Sequence, residues 1–434
     1  MTLNKFRDDA YKIFKSALKE VDPYSSVKKS LTLSGDILKA GNRSYNISEY
    51  SKIRLLGAGK ASGRMALAVE EILSDKLSKG LVIVKYNHTE LLSKTEIIEA
   101  GHPVPDKKGE EGAQKLLDYA KKADHGTLII FLVSGGGSAL TPLPLDNISL
   151  DQKQQITIEL LNSGATIHEI NTIRKKLSKI KGGKFVEISY PATVLSLILS
   201  DVVGDELDII ASGITVPDKS THEDCLRILK KYGLEKKIPV KILKLFKKNE
   251  IKRSNLFDRS SIFLIGKNYD ALKAAKSKAE KLGYNTLILS STIEGNTKSV
   301  AHIHCEIAKQ IIKTGDPVKT PSCIISGGET TVNVTGNGMG GRNQEFALEC
   351  VEKISGFHNI LIFSAGTDGT DGPTHAAGAI ADSKTLKEGI EKGLNHNDFL
   401  KRNDSYNYFK PLNNLIMTGP TKTNVMDIKI ILVR

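Results

Sequence analysis

Apolar residues recur at helical spacing along the first twenty positions. Phe6, Ala10, Ile13, Phe14, Ala17 and Val21 share one face, and Pro23 ends the run. Leu31–Ala40 reads as short strands around a Ser34-Gly35-Asp36 turn. The pattern then changes to apolar runs that end in glycine and pass into helical periodicity. IRLLGAGKASGRMALAVEEIL is strand, turn and helix. Leu81–Tyr86 and Ile97–Ala100 are further strands, the second leading into GHPVPD, and Ala113, Leu116, Leu117 and Ala120 mark the next amphipathic helix. LIIFLV enters SGGGSAL, residues 151–190 read as helical and basic, and Val194–Leu199 runs into SDVVGDELDIIASG. After a Lys-rich connection the alternation resumes with IFLIG, TLILS, CIISGGETTV and ILIFSAGTDGTDG. Fully apolar strands alternating with helices, each strand ending in glycines, predict an α/β fold with a parallel, doubly wound sheet, followed by a second set of βα units. The boundary is placed near residue 225, giving domains at 1–225 and 226–434.

Length agrees with two domains, since 434 residues exceed the roughly 250–300 at which single cores stop growing. The four cysteines, Cys225, Cys305, Cys323 and Cys350, have no metal or redox spacing. Charges interrupt the N-terminal segment where a signal peptide needs an apolar core, and the longest apolar runs are strand-sized. A cytoplasmic location is expected, with no membrane partner. The net charge of +13 raises nucleic acid as a partner. Its densest stretch, Arg227–Arg253, has eleven basic residues against two acidic, Glu235 and Glu250, but no nucleic-acid motif. It reads as a solvated helical surface, so no nucleic acid is expected and anionic small molecules are favoured.

The candidate chemistry sits at strand ends. In GNGMGGRNQEFAL, residues 336–348, four glycines run into a helix that opens on Arg342. Unpaired amides, the helix dipole and a guanidinium together suit a phosphate or carboxylate. The turn Gly57-Ala-Gly59-Lys60 puts glycines and a point charge between strand and helix. It is near a dinucleotide fingerprint, but the next strand ends Lys85-Tyr86-Asn87-His88, without the carboxylate that holds a ribose. An NADP-dependent hydroxypyruvate reductase is therefore the alternative reading. Ser134-Gly135-Gly136-Gly137-Ser138 is a candidate phosphate loop, and Ser326-Gly327-Gly328 repeats the same turn in the second half. Asp201, Asp205, Asp368, Asp371 and Glu329 supply carboxylates to hold Mg²⁺ or accept a hydroxyl proton. His102 is read as a loop-ordering residue. This inventory fits ATP-dependent phosphoryl transfer to a small anionic acceptor.

GAGKASGRMA, GHPVPD, VSGGGSAL, NTIRKKLSKIKGG, SDVVGDELDIIASG, SGGETTVNVTGNGMGGRNQE and GTDGTDGPTHAAGA together resemble the class II glycerate kinases, the glycerate 2-kinase family with a MOFRL domain. The match spans most of the chain in order. The resemblance implies a Rossmann-like αβα N-terminal domain, a smaller C-terminal α/β MOFRL-type domain, and ATP- and Mg²⁺-dependent phosphorylation of D-glycerate to 2-phosphoglycerate in a cleft between them. It casts Lys60 and Arg342 as a basic pair at the reacting phosphoryl and the glycerate carboxylate, and Asp368 as the group that orients or deprotonates the acceptor hydroxyl. The Ser134–Ser138 loop would lie along nucleotide phosphates. D-glycerate and a nucleotide are the partners implied, with a homodimer as the assembly considered. The chain departs from the family pattern at Ile214, where proline is usual, and at Gly295-Asn296-Thr297-Lys298, where GEAR is usual. Lys176 replaces a common histidine and His375 a common aspartate.

Overall fold

The structure is a computed structural model that describes residues 3–248 and 254–434; the end of the basic stretch, including Glu250 and Arg253, lies outside the described residues. Two compact units are present, Pro23–Ile265 on one side and Met1–Asp22 with Gly266–Arg434 on the other.

In the first unit, β1 (Leu31–Ser34), β2 (Ile37–Ala40) and β3 (Arg43–Asn46) form a small antiparallel sheet. The main sheet contains β4 (Lys52–Ala58), β5 (Lys79–Lys85), β6 (Thr95–Ala100), β7 (Thr127–Val133), β8 (Thr193–Leu199) and β9 (Ser260–Gly266), ordered β6-β5-β4-β7-β8-β9. From β6 to β8 every pair is parallel. Both β7 and β8 are buried at all positions, which is why they read as unbroken apolar runs rather than alternating ones. The strand order reverses between β4 and β7, and ligands of open α/β sheets bind at the carboxyl ends of strands beside such a reversal.

The division near residue 225 is not where the compact units part. Ile228, Leu229, Ile242 and Phe246 of the Lys-rich stretch are buried with Ile156, Leu160, Ile170 and Ile173 from the helices Leu150–Asn162 and Ile167–Lys176. The basic stretch therefore shows lysines to solvent but anchors its other face in the first unit, and β9 then joins that unit's sheet.

The second unit is discontinuous. Helix Leu3–Glu20 belongs to it because Arg7 bonds Asp382 at 2.6 Å and Asn414 at 2.8 Å, and Tyr284 donates to Asp9 at 3.0 Å. Its sheet holds β10 (Asn285–Ile293), β11 (Ser322–Gly328), β12 (Ile360–Gly366), β13 (Gly378–Asp382), β14 (Leu415–Ile416) and β15 (Asp427–Val433). The order is β10-β11-β15-β12-β13-β14; β10 and β11 are parallel and the other pairs antiparallel. The last strand, β15, thus lies in the middle of the sheet. No helix among the described residues is long and apolar enough to cross a membrane.

His304, in the helix Thr297–Thr314, is buried in this unit. Its Nδ1 donates to the Val300 carbonyl at 2.8 Å, and its Nε2 lies 2.8 Å from Ser326 Oγ, so Nε2 accepts from the hydroxyl in the neutral ring. Burial, reinforced by the charge of Lys429, pulls its pKa down to about 4. The folded value lies below the unfolded one, so stability present at neutral pH is lost as pH falls from about 6.5 through 4. Urea titrations across that window should show wild type losing up to about 3 kcal/mol relative to His304→Gln. Parallel pH profiles for the two proteins would contradict this.

Candidate active site

The glycine-rich run at residues 336–341 leads into the helix Arg342–Val351, which places Arg342 at its first turn. The amides of that turn are already occupied by an anion of the protein itself. Asp371 accepts from Asn343 N at 3.1 Å and from Gln344 N at 2.8 Å, and also from the Asn343 and Gln344 side chains at 3.3 and 3.0 Å. Its carboxyl is buried, which pushes its pKa up to about 6 against the pull of these amides, with Asp427 adding to the rise. Asp371, expected as a metal ligand, is instead the cap of this helix: both oxygens are engaged by donors. A Cβ on Gly341 would stand 2.4 Å from the Asp371 carboxylate, so the glycine there lets the cap approach.

Arg342 is gripped by carboxylates. Its Nε and Nη2 donate to the two Asp427 oxygens at 2.7 and 2.9 Å, and its Nη1 lies 2.8 Å from Glu329 Oε1. The paired Asp427 contact is the fork geometry that a lysine could not reproduce. Burial works against the positive charge, yet Asp427 and Glu329 hold the arginine above its ordinary pKa. Its side chain remains about a third exposed (33%), at the wall of a cleft of about 500 Å³ shared with Glu329, Thr330, Gly340, Glu345 and Asn403. Asp427 itself is wholly buried. Burial alone would raise its carboxyl, but Lys429 and Arg342 together with the hydrogen bonds of Arg342 and Asn343 hold it below the usual range. Lys429 is 0% exposed, with Nζ 3.6 Å from Asp427 and 5.6 Å from the centre of the Phe346 ring.

Asp427 reaches this position through sheet register. It opens β15 opposite Gly328 at the end of β11 and Gly366 at the end of β12. Gly327 lies against Asn268 and Gly328 against the backbone of Ile293, so these two glycines serve close packing. Asp368 follows β12 and accepts from the Thr370 amide at 3.1 Å and hydroxyl at 3.2 Å, an Asx turn that sets its orientation.

In the Pro23–Ile265 unit the ends of β4, β7 and β8 come together. Lys60 N donates to Gly135 O at 2.8 Å, Ala61 N to Ser134 Oγ at 3.0 Å, and Gly59 N to Ile83 O at 3.0 Å. The two glycine loops thus bind each other. A Cβ on Gly59 would fall 2.1 Å from Ser134 Oγ, and one on Gly135 would fall 1.9 Å from Asp201 Oδ2. Gly57 likewise abuts Leu132. Of the two glycines expected to expose amides to a cofactor, Gly59 allows this contact between loops and Gly57 the close pairing of β4 with β7. Gly136 lies beside His102 and Lys60, and Gly137 beside Ala211. Ser138 Oγ lies 2.8 Å from Ser212 Oγ, which donates to Asn171 Oδ1 at 2.8 Å. Ala211 and Ser212 adopt left-handed φ of 50° and 55°, costly for residues with side chains, and this bend aims Ser212 at the loop. Lys181, 2% exposed, donates to the Ser138 carbonyl and, at 2.7 Å, to its hydroxyl.

Of the four carboxylates expected as metal ligands, Asp201 and Asp205 belong to the Pro23–Ile265 unit, and Glu329 and Asp371 to the other. Asp201 and Asp205 follow β8, Glu329 contacts Arg342 and Asp371 caps its helix; among the described residues no three His, Cys, Asp or Glu side chains are grouped to hold a metal. Within each unit, the described side chains offer no such donor set for a resident ion.

Two family models match the sequence: a domain of unknown function (DUF4147) over residues 9–247 and the MOFRL family over residues 322–427. A D-glycerate 2-kinase from Thermotoga maritima is 42% identical over 420 residues, 96% of this chain and 96% of that protein. The chain belongs to the MOFRL-type glycerate kinase family. A crystal structure of glycerate kinase from Thermotoga maritima matches with a TM-score of 0.89 at 40% identity, covering 99% of this chain and 100% of that one. A putative hydroxypyruvate reductase from Agrobacterium vitis is 37% identical over 381 residues, 87% of this chain and 98% of that protein.

Three polar residues that the sequence reading passed over thus stand in this glycerate kinase fold. Asn171 and Lys181 lie within NTIRKKLSKIKGG, where Lys175, Lys176 and Lys181 are all buried; Lys175 and Lys176 pair with carboxylates, while Lys181 turns to Ser138. Asp427 closes the MOFRL match, and an acidic residue opening a short apolar run, DIKIILV, was its only signal.

Proposed function

We propose that this protein transfers the γ-phosphoryl group of ATP to the 2-hydroxyl of D-glycerate, forming 2-phosphoglycerate and ADP. The full-length relationship to a D-glycerate 2-kinase carries this reading. The acceptor oxygen attacks the γ-phosphorus, the bond to the β–γ bridging oxygen breaks, and the hydroxyl proton passes to Asp368. Arg342 receives the glycerate carboxylate and Lys60 the charge developing on the transferred phosphoryl. The nucleotide brings Mg²⁺ as its own counter-ion, which agrees with the habit of this ion to keep its waters and lean on substrate phosphates. An assay coupled to enolase, with no phosphoglycerate mutase present, should yield phosphoenolpyruvate from ATP and D-glycerate. ADP release without phosphoenolpyruvate would show that the phosphoryl goes to a different hydroxyl.

The reductase reading finds less support. A dinucleotide pyrophosphate needs the amides of the first βα turn, and those of Gly59, Lys60 and Ala61 are bonded to Ile83, Gly135 and Ser134.

A further inference from the structure

A second cleft, of about 500 Å³, lies wholly within the Pro23–Ile265 unit beside the triple-glycine loop, with Gly136 and Ser138 in its wall. Its composition is unusual in two ways. Lys153, Arg174 and Lys181 line it, and Lys153 and Lys181 are 6% and 2% exposed. The acceptors of these two lysines are neutral: Lys153 donates to the Pro142 carbonyl at 3.1 Å, and Lys181 to Ser138. Among the described residues no carboxylate forms an ion pair with any of the three. The mouth, by contrast, is apolar: Val104, Ile158 and Leu161 are 69%, 47% and 56% exposed.

Buried like charges without a counter-ion destabilise a fold unless an anion completes them. Burial, with the charges of Lys184 and Arg174, brings Lys153 down to about 7, and Glu110 offsets this only in part. Burial, with Lys153 and Arg174, also lowers Lys181. Glycerate would satisfy the cations but has nothing to lay on an apolar rim. A nucleoside polyphosphate has both an aromatic base and a chain of anionic oxygens.

We infer that this cleft is the nucleotide site, with the base against Val104, Ile158 and Leu161 and the phosphates on Lys153, Arg174 and Lys181. The inference rests on the kinase reading above and adds, to the expected loop from Ser134 to Ser138, three cations and an apolar rim that were not expected to hold the nucleotide. Gly136 and Ser138, which follow β7, line the same cleft, and Gly136 lies beside Lys60, so the phosphate chain would run toward the carboxyl ends of β4 and β7.

The test uses calorimetric titration of the full chain with a non-hydrolysable ATP analogue (the β,γ-imido compound), together with steady-state kinetics. Lys153→Met and Arg174→Gln remove one charge each, Met nearly keeping the length of Lys and Gln keeping a polar end in place of the guanidinium. Each should weaken analogue binding and raise the KM for ATP by at least tenfold, with the KM for D-glycerate within twofold of wild type. Melting temperatures should not fall, since the charges removed are unpaired ones. Analogue affinity within twofold of wild type in both variants would overturn the assignment, as would a rise in the glycerate KM in place of that for ATP. Wild-type protein that neither binds the analogue nor phosphorylates glycerate would overturn the kinase reading itself. Phosphorylation retained with variant affinities unchanged would remove the nucleotide site alone.

Discussion

Arg342→Ala should lower kcat by about 10²-fold or more while the protein stays folded, a loss of about 2.7 kcal/mol of transition-state stabilisation. The guanidinium is not an adaptable surface charge. Two of its nitrogens are pinned on Asp427 and a third on Glu329, so its position is set before any ligand arrives. Preorganised charge of this kind acts without reorientation during the reaction. Arg342→Lys separates charge from geometry: it keeps the cation but cannot bridge both Asp427 oxygens, and it should recover only a small part of the rate. Lys60→Ala should show a loss of the same order. Steady-state kinetics with a circular-dichroism check of folding decides the matter. Wild-type turnover in either alanine variant would sink the assignment of that residue.

The second large effect concerns stability. Asp427→Ala should cost about 3–5 kcal/mol in denaturant unfolding, the range for removing one partner of a buried pair. Asp427 and Lys429 are both 0% exposed in their side chains, and Asp427 also takes the Arg342 fork and the Asn343 amide at 3.0 Å. Removing the carboxylate leaves Lys429 buried beside Phe346 with its compensating charge gone. The double variant Asp427→Ala, Lys429→Met should regain much of the loss, because it takes away the stranded charge as well. It should not regain activity, since Arg342 would still lack its anchor. A single variant within 1 kcal/mol of wild type would show that the pair is not what holds this end of the sheet.

Particular residues show where reading the chain succeeds and where it stops. The runs LIIFLV and VLSLIL announced buried parallel strands because both faces of such a strand are covered, and SGGGSAL and SDVVGD after them marked strand ends where ligands gather. Arg342 stood out for its place at a helix start after four glycines. Asp371 misled: an Asp-Gly pair after a strand looks the same whether it holds a metal or caps a helix, and only the bonds to Asn343 and Gln344 distinguish the two. The Lys-rich stretch misled in another way. Its surface charge suggested a connection between domains, while Ile228, Leu229, Ile242 and Phe246 tie it into the first unit's core.

Local sequence therefore determined the α/β class, the strand ends and the glycine loops, since periodicity and turn chemistry act over a few residues and do not need the rest of the chain. Tertiary structure alone decided which charges meet. Asp427 is 85 residues from Arg342 and reaches it because β15 enters antiparallel between β11 and β12, opposite Gly328 and Gly366. Lys181 is one lysine among many in its segment until the fold buries it against Ser138. Burial turns these ordinary charges into strong, specific interactions, because away from water each must find a partner or a ligand, and no local pattern states where that partner lies.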